Sequence, residues 1–534
     1  MEATNALLLQ RQTGLFLVVP KGKDMLRIPV VLCALLGLSI SAVADQGFDF
    51  TSFAVPKTGR IIIPVIEGES LSGAAANIDR LTKGALSIAA SEASFTGESN
   101  SFVTLLGVSP YSRIDLIGIG AEAADRVSAE NFGGTASALI GDTAGGTVQI
   151  LWPDDIANTE ATAARVAFGY RLRSYRFDRH QAQKVDRDTL PLIHLLSNDN
   201  SQKEYADDLA HLADGVFLAR DMSSEPGNII YPQSFVERIE TQFEGLRNVT
   251  IKVLDEKDLQ RLGMGAHWGV GRGSSKPPRL LIIEYLAGED SAPIVLAGKG
   301  ITFDTGGISL KKNDGMWQMK GDLGGAGVVT GTVLAAARRG APVNVIALAA
   351  LAENMPSGTA IRPGDVLTSM SGITIEISST DAEGRLVLSD AVHYAQVTYE
   401  PDVLIDVATL TGAVGRALGD GYAGIFGRHD ELIDQLTAAS QAAGEPVWRL
   451  PLDDSHFKQI ESKVGDIVNG GVGDPGASVG AAFIGAFVNE DQHWAHFDIA
   501  GVDHMKEDRP TIPAGYSGWG VRALDEYLRR HHQQ

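Results

Sequence analysis

Two segments of the chain concentrate the side chains that could do chemistry. The first covers residues 299–322 and reads KGITFDTGGISLKKNDGMWQMKGD, directly after the apolar run 293–297 of a predicted strand. The second covers residues 380–385 and reads TDAEGR. Ligand sites of α/β sheets collect at the carboxyl ends of strands, where backbone and side chains face an open crevice. We therefore expect the two segments to meet in one site.

Carboxylates dominate both segments. Asp381 and Glu383 are two residues apart, so both point to the same side if this segment is extended. The first segment adds two carboxylates and two lysines, which are Asp304, Asp322, Lys299 and Lys311. Carboxylates on one face repel unless a cation lies between them or one is protonated. For any one acid alone, a helix cap or an ordinary surface position is the alternative.

Four carboxylates in one crevice are better explained by two divalent cations than by acid–base work alone, because one proton cannot offset that much charge. Two such ions about 3.5–4 Å apart can clamp a bridging water, lower its pKa and polarise a carbonyl. The single cysteine, Cys33, excludes a disulfide framework and a cysteine-based zinc site. Any metal must therefore be held by oxygen or nitrogen atoms.

Competing motifs give weaker indications. Residues 476–480 read GASVG and fit the pattern around a serine nucleophile, but a glycine-rich loop precedes them where that motif needs a strand. The run 269–276 lacks the spacing of a phosphate-binding loop, and no HExxH is present. The formal net charge of −21 argues against a nucleic-acid partner, which relies mainly on basic side chains. The basic clusters at 171–179 and 529–530 are interpreted as solvated helix faces.

Residues 1–44 predict export. Met25 begins a stretch with a basic residue, a short apolar run and an A-x-A ending at Ala42 and Ala44, which is the layout of a secretory signal peptide. The apolar run is too short for a comfortable membrane span, and we take Met25 as the start. Cleavage before Asp45 would remove four basic and two acidic residues and leave a formal charge of −23. We expect a periplasmic or secreted protein without stable membrane association; an uncleaved anchor and a cytoplasmic location are the alternatives.

The elements that must position the chemical residues form two groups, since 534 residues exceed what one hydrophobic core supports. Residues 48–195 predict a small α/β domain, and the polar run 196–203 is the predicted linker. Residues 204–534 alternate helices and strands again, which predicts a sheet with helices on both faces. The predicted strands are 60–65, 113–119, 148–152, 250–254, 279–285, 294–297, 343–351, 373–378, 403–408 and 494–499. The predicted helices are 74–90, 121–141, 204–222, 257–262, 322–339, 385–399 and 523–530.

At these motifs the sequence closely resembles the leucyl, or cytosol, aminopeptidase family of dinuclear metallo-exopeptidases. The matching stretches are TDAEGRL at 380–386, GKGITFDTGGISLK at 298–311, MKGD at 319–322, ATLTGA at 408–413 and WAHFDIAG at 494–501. The resemblance implies an α/β fold with a small macro-like N-terminal domain. It also implies a larger C-terminal α/β/α catalytic domain with a central mixed sheet.

The resemblance implies a ligand set for two divalent cations, Zn²⁺ or Mn²⁺. One cation would be held by Asp304, Asp381 and Glu383. The other would be held by Lys299, Asp304, Asp322 and Glu383. A lysine can bind a metal only as the neutral amine, which two adjacent cations would enforce.

The resemblance also implies roles around the metals. Lys311 would steady the oxyanion of the tetrahedral intermediate. Arg385 would hold a bicarbonate ion that serves as general base. Met319 would line the pocket for the first side chain, and the backbone of Thr409 and Leu410 would contact the peptide. A homohexamer is implied as well.

We therefore expect a metal-dependent aminopeptidase that releases N-terminal residues, with a leucine-type preference, from peptides. The alternative is a catalytically silent scaffold of the same fold, and the complete ligand set argues against it. Two departures from the family pattern remove no ligand: Ser379 stands where Asn is usual, and GDLGGAG at 321–327 replaces xDMGGAA.

Overall fold

The computed structural model describes residues 48–532, apart from 69, 121–124, 143–144, 199, 290 and 471–475. The predicted signal segment and Cys33 lie outside the described residues. None of the helices in the described part of the chain combines the length and apolar character needed to span a bilayer.

The N-terminal domain is built on a six-stranded sheet. Its strands are β1 Phe48–Thr51, β2 Gly59–Val65, β3 Phe102–Leu106, β4 Tyr111–Gly118, β5 Thr147–Leu151 and β6 Leu192–Leu196. Their order is β1-β6-β5-β2-β4-β3, and every neighbouring pair is parallel except β3 with β4. The helices are α1 Gly73–Leu81, α2 Ala85–Glu92, α3 Arg126–Ile140 and α4 Ala163–Arg173. Ile61 and Ile63 pack into one core and Ile62 into another, as alternation along a strand requires.

Three features of this domain differ from the sequence prediction. The predicted helix 74–90 is two helices, because Lys83 and Gly84 adopt left-handed φ values of 59° and 86° after α1. The sequence pattern did not reveal β1 and β3, which lie at the two edges of the sheet, or the internal strand β6. The predicted linker is shorter than 196–203, since Leu196 ends β6 and the next helix begins at Ser201.

The C-terminal domain contains a mixed sheet of eight strands. The strands of this domain are β7 Val249–Leu254, β8 Arg279–Leu286, β9 Ile294–Asp304, β10 Asn344–Asn354, β11 Val366–Thr368, β12 Thr374–Glu376, β13 Val403–Ala408, β14 Ala423–Gly427, β15 Val447–Arg449, β16 Ile467–Val468, β17 His493–Asp498, β18 His504–Met505 and β19 Gly515–Tyr516. The main sheet has the order β15-β14-β17-β13-β9-β10-β8-β7. Its central strands β10, β9, β13 and β17 are parallel, and β8 and β14 flank them in antiparallel pairing. Strands β11, β12 and β16 form a small separate sheet, and β18 pairs with β19.

Helices cover both faces of the main sheet. The helices of this domain are α5 Ser201–Glu204, α6 Ala210–Ser224, α7 Pro232–Phe243, α8 Glu256–Arg261, α9 Gly265–Gly271, α10 Gly324–Arg338, α11 Gly384–Tyr399, α12 Gly412–Leu418, α13 Asp430–Ala442, α14 Asp454–Lys458, α15 Gly476–Gly485 and α16 Val521–His531. A π-helical turn, Tyr205–Leu209, joins α5 to α6. Ala297 of β9 packs with α11, whereas the next residue, Gly298, faces α10. The central strand that carries the first chemical segment is therefore enclosed by helices on both sides.

Strand β9 is longer than predicted. The sequence pattern ends this strand at residue 297, but it continues to Asp304 and stays paired with β10 through a register shift after Ala352. Lys299 and Asp304 therefore lie on the central strand itself and not in a loop after it. The apolar pattern ends early because the polar side chains of this strand line a site and not a core.

The basic cluster at 171–179 is not a solvated helix face. Arg171 and Arg173 are only 7% and 8% exposed. Arg171 donates to Asp214 at 2.8 Å, and Arg173 pairs with Asp508. Arg171 and Arg173 are thus buried with ion-pair partners from the C-terminal domain, as buried guanidinium groups usually are, whereas Arg179 at the end of the cluster is exposed. In the second basic cluster Arg529 contacts two carboxylates, those of the buried Asp525 and the partly exposed Asp208.

We predict that Gly331→Ala destabilises the protein by about 1–3 kcal/mol, the usual cost of overpacking a core. A Cβ at Gly331 in α10 would lie 2.4 Å from the carbonyl oxygen of Gly215 in α6, so the two helices would have to separate. Alanine ordinarily stabilises a helix relative to glycine. A decrease in the free energy of unfolding therefore reports the close approach of the two helices. Thermal unfolding measures it. A control, Gly358→Ala, has no atom within 4 Å and should leave the midpoint unchanged, whereas a higher midpoint for Gly331→Ala would contradict the packing described here.

Candidate metal centre

The structure brings the two chemical segments together. Asp304 ends β9, and Glu383 directly precedes α11. One ligand oxygen from each of Asp304, Asp381 and Glu383 lies within 4.8 Å of the others. Asp322 follows the 3-10 helix Met316–Gly321 and joins the same group through Lys299.

The geometry of the second segment differs from the sequence argument. Asp381 lies in a turn, and Glu383 has helical φ and ψ values of −79° and −34°. The segment is not extended, so the same-side argument from a spacing of two residues was wrong. The two carboxylates converge because the turn folds back towards the loop after β9.

Thr380 ties that turn to the loop after β9. Its hydroxyl donates to the Gly306 carbonyl at 2.5 Å and accepts from the Ser309 amide at 2.8 Å. Gly307 has a left-handed φ of 66°, and a Cβ there would lie 2.9 Å from the Thr380 hydroxyl oxygen. Glycine is therefore required where the two segments approach each other.

Two lysines compensate part of the negative charge. Lys311 Nζ lies 2.7 Å from Asp304 and 2.6 Å from Asp381. Lys299 Nζ lies 2.8 Å from Asp322 and 3.1 Å from Glu383. Four carboxylates thus face two ammonium groups, which leaves two formal negative charges in a largely buried cluster.

The uncompensated charge shifts the pKa values of these groups. Burial and the neighbouring Glu383 raise the pKa of Asp304 to about 6. Burial, with Glu383 and Asp304 nearby, raises the pKa of Asp322 to about 8 although Lys299 opposes this. Burial disfavours the charge of Lys299, but Asp322 and Glu383 outweigh it and raise the pKa of that amine. Without further cations the cluster therefore favours one extra proton near neutral pH, on Asp322.

The donor set fits divalent cations. The second oxygens, Asp322 Oδ2 and Glu383 Oε2, are buried and accept no hydrogen bond from the described residues. A buried carboxylate oxygen without a donor is costly unless a cation binds it. Carboxylate-rich sites with a nitrogen donor accept Mn²⁺ as well as Zn²⁺.

Asn354, which the sequence analysis did not single out, links the two segments. It is 2% exposed at the end of β10, beside β9. Its amide donates to Asp304 at 2.8 Å and to the Thr380 carbonyl at 3.0 Å. The available signal was an amide side chain at the carboxyl end of an apolar strand, which is where a ligand site is expected.

Asn469 supports the turn from the other side. Its side-chain NH₂ group donates to the Ser379 carbonyl at 2.6 Å, and its side-chain oxygen accepts from the Ser378 backbone amide at 2.9 Å. Ser379, the residue that departs from the family pattern, accepts from the Asp381 amide at 3.2 Å through its hydroxyl. The serine at this position therefore still forms a hydrogen bond with the backbone of Asp381, a candidate metal ligand.

Arg385 lies at the edge of the cluster. One guanidinium nitrogen donates to the Asn469 carbonyl at 2.8 Å, and Nε is buried without a partner among the described residues. Burial lowers the pKa of Arg385, and Glu383 and Asp498 offset this only in part. The side chain is thus a cation with unused donor capacity, which suits a small anion.

The residues predicted to contact substrate border the same cluster. The Thr409 carbonyl accepts from Lys299 Nζ at 2.9 Å, and its hydroxyl donates to Asp322 at 2.7 Å. The Leu410 amide donates to the buried Asp498 at 3.1 Å, an anchor that the sequence analysis missed. Met319 is partly exposed on the 3-10 helix before Asp322.

The competing serine motif has the wrong setting. Ser478 is 2% exposed within α15, which begins at Gly476. A serine nucleophile needs an exposed hydroxyl on a sharp turn between a strand and a helix. The described residues therefore give no support to a serine hydrolase.

Comparison with known proteins agrees with the geometry. The model of the catalytic domain of the cytosol aminopeptidase family matches residues 217–525, and the model of its N-terminal domain matches residues 62–184. A probable cytosol aminopeptidase of Dinoroseobacter shibae is 39% identical over 477 residues, which cover 89% of this chain and 95% of the relative. One of Brucella suis is 41% identical over 494 residues, which cover 90% and 97%.

Two solved structures are similar over most of their length. A mutant of tomato leucine aminopeptidase superposes with a TM-score of 0.80 at 30% identity and covers 91% of this chain and 96% of its own. The bottromycin maturation enzyme BotP in complex with Mn superposes with a TM-score of 0.77 at 29% identity and covers 89% and 99%. The similarity therefore extends over both domains.

We predict that Asn354→Ala weakens Mn²⁺ binding by about 10–100-fold, the usual effect of removing a partner of a metal ligand. Asp304 would lose a hydrogen bond that holds it towards the turn at Thr380. Isothermal titration calorimetry measures the affinity. Asn313→Ala, in the exposed part of the loop after β9, is the matched control and should bind Mn²⁺ as the wild type does. Equal affinities for Asn354→Ala and the wild type would contradict this role.

Proposed function

The chain belongs to the cytosol aminopeptidase family and is a metal-dependent aminopeptidase, and we propose that the cluster around Asp304 and Glu383 is its active site. The observation that carries this proposal is the convergence of four carboxylates with too few cations to balance them. The reaction is hydrolysis of the first peptide bond, which releases the N-terminal residue of a peptide.

Two divalent cations per chain, Mn²⁺ or Zn²⁺, are proposed to bind here. Asp304, Asp381 and Glu383 would hold one, and Lys299, Asp304, Asp322 and Glu383 would hold the other. When bound, the cations supply Lewis acidity towards the peptide carbonyl and towards the attacking water. The unpartnered oxygens of Asp322 and Glu383 support this assignment.

The two lysines have different parts in this proposal. Lys299 is 3% exposed and would serve as a neutral nitrogen donor, which requires loss of the proton that the carboxylates now favour. Lys311 is less buried and keeps its ammonium group. Once Asp304 and Asp381 no longer need Lys311 for charge balance, it is free to donate to the oxyanion that develops on the substrate.

Arg385 is proposed to hold a bicarbonate ion. The buried, unpartnered Nε supports an anion beside this guanidinium. A bicarbonate ion held there would supply a general base towards the attacking water. Arg385 would orient that base and would not itself transfer the proton.

Substrate contacts are proposed for Met319, Thr409 and Leu410. Met319 would line the pocket for the first side chain, for which a leucine-type preference is proposed. Asp498 holds the segment Thr409–Leu410 through the Leu410 amide and the Thr411 hydroxyl, which supports a fixed backbone for contact with the peptide. A catalytically silent scaffold is the alternative, and neither the family nor the complete residue set favours it.

The assembly and the processing of the chain are also proposals. We propose domains at 48–195 and 204–534, a homohexamer, and no nucleic-acid partner, given the formal charge. Residues 1–44 are proposed as a signal peptide, which places the mature protein in the periplasm or outside the cell. The relatives are named cytosol aminopeptidases, so a cytoplasmic location is the alternative.

A chelator is expected to abolish hydrolysis of an aminoacyl anilide, and added Mn²⁺ or Zn²⁺ should restore it. The reason is that four converging carboxylates cannot polarise a carbonyl without a cation between them. Release of the coloured aniline measures the rate. Full activity in a thoroughly metal-stripped sample would rule the proposal out.

Variants locate this activity. Asp381→Ala and Glu383→Ala should each reduce activity by more than about 100-fold. That figure is the upper end of what changes to residues next to metal ligands usually cost. Asp314→Ala removes an exposed carboxylate from the loop after β9 and should keep full activity. Circular dichroism checks that all three variants fold. Equal activity of Asp381→Ala and Asp314→Ala would place the site elsewhere.

The native protein is expected to begin at Asp45. An A-x-A ending at Ala44 is the cleavage pattern of a signal peptidase, and cleavage there would remove the apolar run. Intact-mass spectrometry of protein from the natural source measures the N-terminus. A mature chain that still starts at Met25 would contradict export by a cleaved signal peptide.

A further inference from the structure

A second cavity, separate from the carboxylate cluster, has a volume of about 500 Å³. Four parts of the chain line it: residues 173–177 of the N-terminal domain, Ser224 at the end of α6, the 3-10 helix Met316–Gly321, and residues 504–516. Its volume lies within the roughly 300–1,000 Å³ of small-molecule pockets. The cavity therefore has room for a ligand of the size of an amino acid derivative.

Cations outnumber carboxylates among the described residues of its wall. Arg173, Arg176 and Lys320 line the cavity together with one acid, Asp508. Asp508 pairs with Arg173 and so offsets that guanidinium. Arg176 donates to two backbone carbonyls and has a carboxylate, Asp142, at a distance of 3.7 Å. In a chain with a formal charge of −21, a cavity with surplus positive charge points to an anionic ligand.

Lys320 is the cation whose charge is least satisfied. Its Nζ donates to the Ser224 carbonyl at 2.5 Å, and no carboxylate of the described residues forms an ion pair with it. The ring of Tyr516 lies beside it, with its centroid 5.8 Å from Nζ. An ammonium held by one carbonyl and one aromatic face has donors left for an anion.

Aromatic rings form another part of the wall. Trp317 is 65% exposed, although it borders the cavity. Phe177 and Tyr516 line it as well, and the ring of His504 packs edge-on against Tyr516 at 4.9 Å. Such rings bind an apolar or aromatic group better than they bind a bare inorganic ion.

We propose that this cavity is a second ligand site, which binds a small organic carboxylate with an aromatic or apolar body. The carboxylate contacts Lys320 and Arg176, and the body packs against Trp317 and Tyr516. The carboxylate has two candidate sources: a free acid from solution, or the C-terminal residue of a short peptide substrate.

Calorimetric titration with N-acetyl-phenylalanine tests the site directly. The acetyl group removes the free amine that an aminopeptidase substrate needs, and the ligand keeps the carboxylate and the ring. The Mn²⁺-loaded wild type should bind it, and the uncharged N-acetyl-phenylalaninamide should bind at least about tenfold more weakly, as expected for one lost charge-assisted hydrogen bond. No binding of the acid at millimolar concentration, or equal binding of acid and amide, would overturn the proposal.

Matched variants locate the bound acid. Lys320→Gln and Trp317→Ala should each weaken binding about tenfold or more. The controls are the exposed residues Lys312→Gln and Trp448→Ala, which should bind as the wild type does. Asp381→Ala should also keep the affinity. If Asp381→Ala abolishes binding and Lys320→Gln preserves it, the acid binds at the metal centre and the second site is refuted.

Hydrolysis rates distinguish the two sources of the carboxylate. This experiment, unlike the binding experiments, rests on the proposed peptidase function. If the cavity holds the C-terminus of the substrate, the wild type should prefer a short peptide to its C-terminal amide, and Lys320→Gln should lose that preference. If the ligand is a free acid, both proteins should treat the two peptides alike while the binding results stand. An inactive enzyme that still binds N-acetyl-phenylalanine would sink the peptidase proposal and leave the second site intact.

Discussion

Mutual repulsion among Asp304, Asp322, Asp381 and Glu383 is the constraint on which the rest of the catalytic domain depends. Three of these carboxylates are nearly fully buried, and buried like charges raise one another's pKa values or require cations. Lys299 and Lys311 balance half of the charge. The fold thus holds excess negative charge, which only divalent cations or protons can neutralise.

Close backbone contacts hold this charge in place. Gly384 leaves room for the buried Lys299, because a Cβ at residue 384 would lie 2.5 Å from Cε of that lysine and would displace its amine. Gly298 allows α10 to approach β9, since a Cβ there would lie 2.5 Å from the Gly325 carbonyl oxygen. Asn354 then joins the end of β9 to the turn before α11. Rigid neighbours of this kind preserve the positions of ligands that would otherwise separate.

The sequence predicted the two chemical segments, the mixed α/β architecture and most central strands, because apolar runs and glycine-rich turns are local signals. It placed the end of β9 seven residues too early, since a strand that lines a site loses its apolar pattern. It took the basic cluster at 171–179 as solvated, because partners such as Asp214 and Asp508 are distant in sequence. Asn354, Asn469 and Asp498 were missed for the same reason, as each acts through a contact between remote segments.

The unequal numbers of carboxylates and lysines predict how many divalent cations bind per chain. If divalent cations complete the charge balance, the ligand set that we propose, in which Asp304 and Glu383 are shared, would accommodate two of them. Equilibrium dialysis against Mn²⁺, followed by elemental analysis of the protein, counts the bound ions per chain. We expect two Mn²⁺ per chain in the wild type. A saturated value of one or none would contradict the account.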